Sequence, residues 1–208
     1  MTASDTPARS RPKQERALQT YELILDAAGE LLAEVGIDSI STNAMCARAG
    51  ISPPALYRYF VDKYAVLEAL GRRLMGRQNE ALERWIERHE SGGAAALRSN
   101  VEDLLRATAA VTASEPGAVW ILRALHASPK LVHVRLESHH RVTDRLTDTY
   151  LRLGSRLPRD ELWRRLRLTV EIGFAIDEML QEESGLSADD TFRYAAKMMQ
   201  ADLGRQAL

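Results

Sequence analysis

The chain has 208 residues, 45% of them apolar and 27% charged, with a formal net charge of −1. That is enough for one or two domains with their own cores, and it is the composition of a globular rather than a disordered chain. Near-zero net charge excludes a uniformly basic surface for nucleic acid, so any such affinity must come from where the charges sit. No run of about 18 uncharged apolar residues is present, which argues against a membrane helix. The polar start of the chain lacks the apolar stretch of a secretory signal, so a cytoplasmic location is expected. The single cysteine, Cys46, makes no internal disulfide and holds no cysteine-based metal site.

Ala, Leu, Arg and Glu dominate and β-branched runs are scarce, so the spacing predicts an all-α chain of about nine helices. Residues 1–14 read as a flexible basic tail; Arg9, Arg11, Lys13 and Arg16 of the run 9–16 face only Glu15. In the first helix Leu18, Tyr21, Leu25, Ala28, Leu32 and Val35 recur every three or four residues, with Gly36 as the stop. Glu22, Asp26, Glu30 and Glu34 form an acidic stripe on another face, which is expected to point away from phosphate.

Two short helices follow in quick succession. Ser41 or Thr42 caps a helix from Thr42 to Ala49, closed by Gly50; Ser52 then caps a second with Pro53 at its first position. Two short helices joined by the tight turn Ala49-Gly50-Ile51 match a helix-turn-helix. Ile40, Ala44, Ala47, Ile51 and Leu56 are spaced to lock the pair together, and Cys46 reads as a packing residue. The exposed face carries Ala55, Tyr57, Arg58 and Tyr59, with Lys63 opening the next helix. Arginine reads guanine edges or holds phosphate, tyrosine hydroxyls donate to phosphate, and small residues let a helix enter the major groove. Phe60 is assigned instead to the three-helix core. Residues 46–63 hold Arg48, Arg58 and Lys63 against Asp62.

From Leu23 to Leu70 the chain resembles the tetracycline-repressor (TetR) family of bacterial regulators. The matching residues are Ile24-Leu25-Asp26-Ala27-Ala28, Leu31-Leu32, Gly36, Ser41-Thr42, Ala47, Ala49-Gly50-Ile51-Ser52, Leu56-Tyr57-Arg58-Tyr59-Phe60, Lys63 and Leu67. The resemblance implies a DNA-binding domain over 15–63 and a ligand-binding and dimerisation domain over 64–208. It places Ser41, Thr42, Tyr57 and Lys63 on phosphate, and Ser52, Pro53, Pro54, Ala55, Arg58 and Tyr59 on the recognition helix. Pro53-Pro54 leaves few donors at that helix start, so base reading rests on Arg58 and Tyr59, with apolar contacts from Pro54 and Ala55. It further implies a homodimer meeting two half-sites of a palindromic operator, acting as a repressor released by a small-molecule inducer. An activator, or a helical ligand-binding or scaffold protein that no longer binds DNA, is the alternative.

Beyond residue 64 the pattern is less specific. Leu97, Val101, Leu104, Leu105, Thr108 and Val111 fall on one side of a segment 97–112, and Val132, Leu136, Leu146, Tyr150 and Leu153 do so over 130–153. Segment 158–182 is apolar on more than one side and 188–205 adds a second apolar face, fitting either the monomer core or the intersubunit bundle that the resemblance implies. Trp85, Leu105, Trp120 and Phe174, with Leu122, Leu125 and Leu136, are candidates for an apolar pocket lining. Arg123, His126, His139, Glu171 and Asp177 are polar residues in or near apolar stretches, each readable as an ordinary satisfied group. His133, Glu137 and His140 share a helix face, but Lys130, Arg135, Arg141 and Arg145 surround them; a solvated charged face is expected there, with no metal and no cofactor. No phosphate-binding loop, dinucleotide fingerprint, nucleophile elbow or HExxH motif occurs, so no enzyme is expected.

Overall fold

The local stop signals place the helix ends. The structure, a computed structural model, describes residues 15–204, apart from the side chains of 202–204, and the regular structure described is entirely helical. The basic residues Arg9, Arg11 and Lys13 of the tail lie outside the described residues. The helices are α1 (Glu15–Ser39), α2 (Thr42–Ala49), α3 (Pro53–Tyr57), α4 (Lys63–His89), α5 (Gly93–Ser99), α6 (Val101–Ser114), α7 (Ala118–Ala127), α8 (Val132–Arg152), α9 (Arg159–Glu182) and α10 (Ala188–Gly204), with a 3₁₀ turn at Glu90–Gly92. The expected helix over 97–112 is two helices, α5 ending at Asn100, whose backbone N–H and side-chain amide both donate to the Ala96 carbonyl.

Two compact units divide these helices. The first comprises residues 15–73 and 115–132, so it holds α1 to α3, the start of α4, and α7. Ile24, Leu25, Leu32, Met45, Leu56, Leu67, Leu70, Ile121 and Leu125 fill its core, each below 2% exposed. α1 breaks at Gly36, whose φ of 70° is left-handed. Trp120 of α7 lies against that break: a Cβ on Gly36 would come within 3.1 Å of its ring. Gly117, also left-handed at φ 72°, brings the start of α7 so close to α1 that a Cβ there would lie 2.6 Å from the Gly29 carbonyl oxygen.

The acidic stripe of α1 remains largely exposed but pairs with arginines of other helices in this unit. Arg48 of α2 pairs with Glu34 through both terminal nitrogens and approaches Glu30 at 3.5 Å. Those hydrogen bonds hold the Glu34 carboxyl below its ordinary range. Arg73 of α4, only 11% exposed in its side chain, donates to Asp26 at 2.6 Å and to the fully buried Glu115 side chain, with Glu22 at 3.4 Å. Arg48, counted above with Arg58 and Lys63, is thereby engaged by α1.

The second unit comprises 74–114 and the residues from 133 onward. One core cluster joins Leu82, Trp85, Ile86, Leu97, Leu146, Tyr150, Leu162 and Leu166; another joins Val101, Leu105, Phe192, Ala195, Ala196 and Met199. α9 and α10 each contribute to these cores, yet Leu168, Tyr194 and Met198 stand 63%, 59% and 70% exposed. Both helices therefore have a buried face and an uncovered apolar one.

Candidate functional sites

The first site is built at the α2–α3 pair. Ser41 is the N-cap of α2, its Oγ accepting from the Ala44 N–H at 3.2 Å, and Gly50 closes the helix in a left-handed conformation. Five residues are too few to hold a helix alone, so α3 is held by burial of Leu56 and Phe60, 0% and 3% exposed. Pro53 and Pro54 bring no N–H groups to the helix start; the Ala55 and Leu56 amides both donate to the Ser52 carbonyl, and the Ser52 side chain makes no capping bond.

With Leu56 and Phe60 turned inward, Tyr57 and Arg58 are turned outward; Tyr57 is 45% exposed. The Tyr57 hydroxyl lies 3.2 Å from Thr42 Oγ1, linking the end of α3 to the start of α2. Ser41, Ser52, Pro53 and Pro54 are also exposed, Ala55 and Tyr59 half-buried, and Tyr59 lies edge-on to Tyr21. Arg58 stacks over the Tyr59 ring at 5.8 Å. Asp62 caps α4, its Oδ1 accepting from the Ala65 N–H at 2.9 Å, and Lys63 beside it lies 5.8 Å from the Tyr64 ring centre. The face joins a helix N-terminus, hydroxyls and two cations, groups that favour a polyanion.

The second site is a cavity of about 80 Å³ within the second unit. It exceeds the roughly 10–15 Å³ that one water needs. Of the residues expected around a pocket, Trp85, Leu105 and Phe174 line it, together with Asp177. Trp120, Arg123 and His126 stand on α7 in the first unit, Arg123 over the Trp120 ring at 5.0 Å and His126 exposed. His139 lies behind the lining, stacked on Phe174 with ring centres 4.1 Å apart. The sequence reading missed Gln78, Asn79 and Thr108, which also line the cavity. Gln78 had a signal: it is a polar residue in the buried stripe Leu74, Gln78, Leu82, Trp85.

Two polar clusters border this space. Gln78 Nε2 donates to Thr112 Oγ1 at 2.9 Å, and Thr112 donates to Asp177 Oδ2. The Thr112 hydroxyl proton is shared between Asp177 Oδ2 and the Thr108 carbonyl, 3.3 Å away, so Gln78 presents its NH₂ to Thr112 and turns its oxygen away. Gln78 Oε1 and Asp177 Oδ1 are left buried with no hydrogen-bond partner. Burial raises the Asp177 carboxyl above its ordinary range and the adjacent Glu178 pushes the same way, against hydrogen bonds from Thr112 and Gln181. In the other cluster, Glu171 Oε1 accepts from Arg135 at 2.9 Å, while Oε2 pairs with Arg167 at 2.6 Å and lies 3.1 Å from His139 Nδ1. Burial lowers His139 to about 4, outweighing the attraction of Glu171. Burial raises Glu171, but Arg167 and His139 bring it down to about 2. The neutral imidazole therefore donates from Nδ1, and its Nε2 is buried without a partner. Among the described residues no three His, Cys, Asp or Glu side chains converge as a metal site, and no helix is long and apolar enough to cross a membrane. Cys46 is buried, which pushes its thiol up.

Residues 24–70 match the sequence model of the bacterial regulatory proteins of the tetR family. The tetracycline repressor protein class D of Escherichia coli is 39% identical over 59 residues, which is 28% of this chain and 27% of that protein. The matched stretch is thus about a quarter of that relative's length. A crystal structure of a TetR-family transcriptional regulator from Streptomyces coelicolor is 28% identical, superposes with a TM-score of 0.65, and is covered to 99% by 90% of this chain. A crystal structure from Syntrophomonas wolfei shares the fold at a TM-score of 0.73 and 14% identity, over 92% of this chain and 97% of that one.

Proposed function

We propose that the chain, whose residues 24–70 match the sequence model of the tetR family of bacterial regulatory proteins, is a homodimeric, ligand-released transcriptional repressor acting in the cytoplasm, not an enzyme. The observation that carries this reading is the α2–α3 pair, which turns Tyr57 and Arg58 outward beside Lys63 while Asp62 is occupied as a cap. In this reading α3 enters the major groove. Arg58 and Tyr59 read base edges, Pro54 and Ala55 make apolar contacts, and Ser41, Thr42, Ser52, Tyr57 and Lys63 hold phosphates. Pro53 sets the helix start and offers no donor.

A five-residue helix with one arginine binds weakly alone, so two are needed. The uncovered apolar faces of α9 and α10, with Leu168, Tyr194 and Met198, support a two-fold contact between copies over about 158–182 and 188–205. Tethering makes the second half-site contact effectively intramolecular and matches a palindromic operator.

The cavity lined by Trp85, Leu105 and Phe174 takes the small-molecule ligand; Asp177 is its buried polar group. α4 carries Lys63 at its first turn and Gln78 at the cavity on one continuous helix, so a ligand that shifts α4 alters the half-site spacing. A coupling of about 1–3 kcal/mol lowers operator affinity roughly 5–150-fold. Trp120, Arg123 and His126 have no part in this cavity, and His139 acts on it through Phe174. Sedimentation of the protein with a retained genomic DNA fragment tests the reading. Two protomers per duplex are expected; a single bound protomer would contradict it.

A further inference from the structure

The lining of the cavity is chemically one-sided. Thr108 donates its hydroxyl proton to the Leu104 and Leu105 carbonyls, Thr169 to the Arg165 carbonyl, and the Trp85 indole N–H to the Asn100 carbonyl at 2.8 Å. Asn79 Oδ1 already accepts from Ser138 Oγ at 3.1 Å. Gln78 Oε1 and Asp177 Oδ1 have no donor in hydrogen-bonding geometry, on residues 2% and 3% exposed, although the Gln181 amide is near enough to favour the Asp177 carboxylate. The lining contains a carboxylate but no lysine, arginine or histidine; its other donors are the Asn79 amide and the Tyr150 hydroxyl. Around these groups Leu82, Trp85, Leu146, Val170 and Phe174 form an apolar wall.

Buried acceptors of this kind are stable when a donor meets them. A ligand carboxylate would find no cation here and would be placed beside a like charge. We propose that the cavity recognises an amphiphilic amine, its ammonium donating to Asp177 Oδ1 and Gln78 Oε1 and its apolar or aromatic body lying against Trp85 and Phe174. Asp177 supplies the counter-charge that lets an ammonium leave water. The Thr112 bridge holds both acceptors in place, so it acts on the ligand only through them.

The proposal rests on the cavity being the ligand chamber, and a matched probe series tests it on the full chain. 4-Phenylbutylamine, 4-phenylbutanol and 4-phenylbutyrate present one body with a cationic, a neutral and an anionic head. Calorimetry at neutral pH is expected to show the amine binding roughly tenfold tighter than the alcohol, with the acid weakest. In Asp177→Asn the amine is expected to lose that advantage while alcohol binding is retained, which also reports that the cavity is folded. Gln78→Met, with Asp177 intact, is expected to weaken the amine severalfold. The alcohol or acid matching the amine, no probe binding, or a preference that survives Asp177→Asn would each overturn the amine class. Operator binding, measured on the same preparation, separates these failures from failure of the regulator itself; an amine that binds without changing operator affinity would refute only the inducer reading.

Discussion

His139 makes stability depend on pH in a direction that can be worked out. It is fully buried on α8, stacked on Phe174, with Nδ1 directed at Glu171 and Nε2 facing no partner. Its folded value of about 4 lies below the ordinary 6.5. The unfolded chain therefore binds a proton between these values that the folded chain does not, and stability falls as pH drops through 6.5 toward 4. Linkage from those two values gives a loss on the order of 1 kcal/mol by pH 5.5 and roughly 2–3 kcal/mol by pH 4.5, relative to pH 7.5. Glu171, held low by Arg167 and His139, adds to the loss only below its unfolded value of 4.5 and, being 41% exposed, adds less than its shift suggests. Urea unfolding at fixed protein concentration from pH 7.5 to 4.5 reads this directly, with His139→Gln as reference. The variant is expected to be less stable at neutral pH, through the lost ring stacking, and to have a much flatter slope between pH 6.5 and 5. Parallel curves for the two proteins would refute the assignment of the pH dependence to His139.

Other outcomes follow from the same contacts. Gly117→Ala puts a Cβ onto the Gly29 carbonyl at a left-handed φ, so a loss of about 2–5 kcal/mol is expected from strain plus overpacking, read by thermal unfolding. Arg58→Ala is expected to weaken specific operator binding by about 1–3 kcal/mol and to relax preference at one base position, whereas Tyr57→Phe weakens all duplexes alike; equal behaviour of the two in an anisotropy titration would contradict their separate roles. Met198→Glu on the uncovered face of α10 removes about 1.5–3 kcal/mol of apolar burial per copy, counted twice by symmetry. Sedimentation is expected to show a shift toward monomer with helix content unchanged.

What was legible in the sequence was local. Ser41, Gly36, Gly50 and Pro53 each act within a few residues, through a cap, a left-handed φ or a fixed φ, and they set the break in α1, both ends of α2 and the start of α3. The break at Asn100 was not legible, because the apolar stripe of 97–112 continues through it while the backbone does not. Packing between distant segments was hidden as well. Nothing in the pattern of α7 announces that Gly117 meets Gly29, or that Leu125 lies so close to Gly71 that a Cβ there would be 2.8 Å away. For the same reason the pocket candidates separated: periodicity says that Trp85 and Trp120 face inward but not which core each enters. The acidic stripe is expected only to point away from phosphate; the arginines that pair with it, Arg48 and Arg73, come from other helices and were not legible in its pattern. Gln78 shows the converse, one polar residue on an otherwise apolar face, whose meaning appears only beside Thr112 and Asp177.

The central claim is that two copies of the α2–α3 face read one duplex. Selection of bound sequences from random double-stranded DNA by the purified full chain at moderate salt tests it most directly. The expected result is an inverted repeat with half-sites about one to one and a half helical turns apart, recovered by the native protein and degraded at one position in each half-site by Arg58→Ala. Recovery of no motif, with only weak and steeply salt-dependent binding, would contradict it.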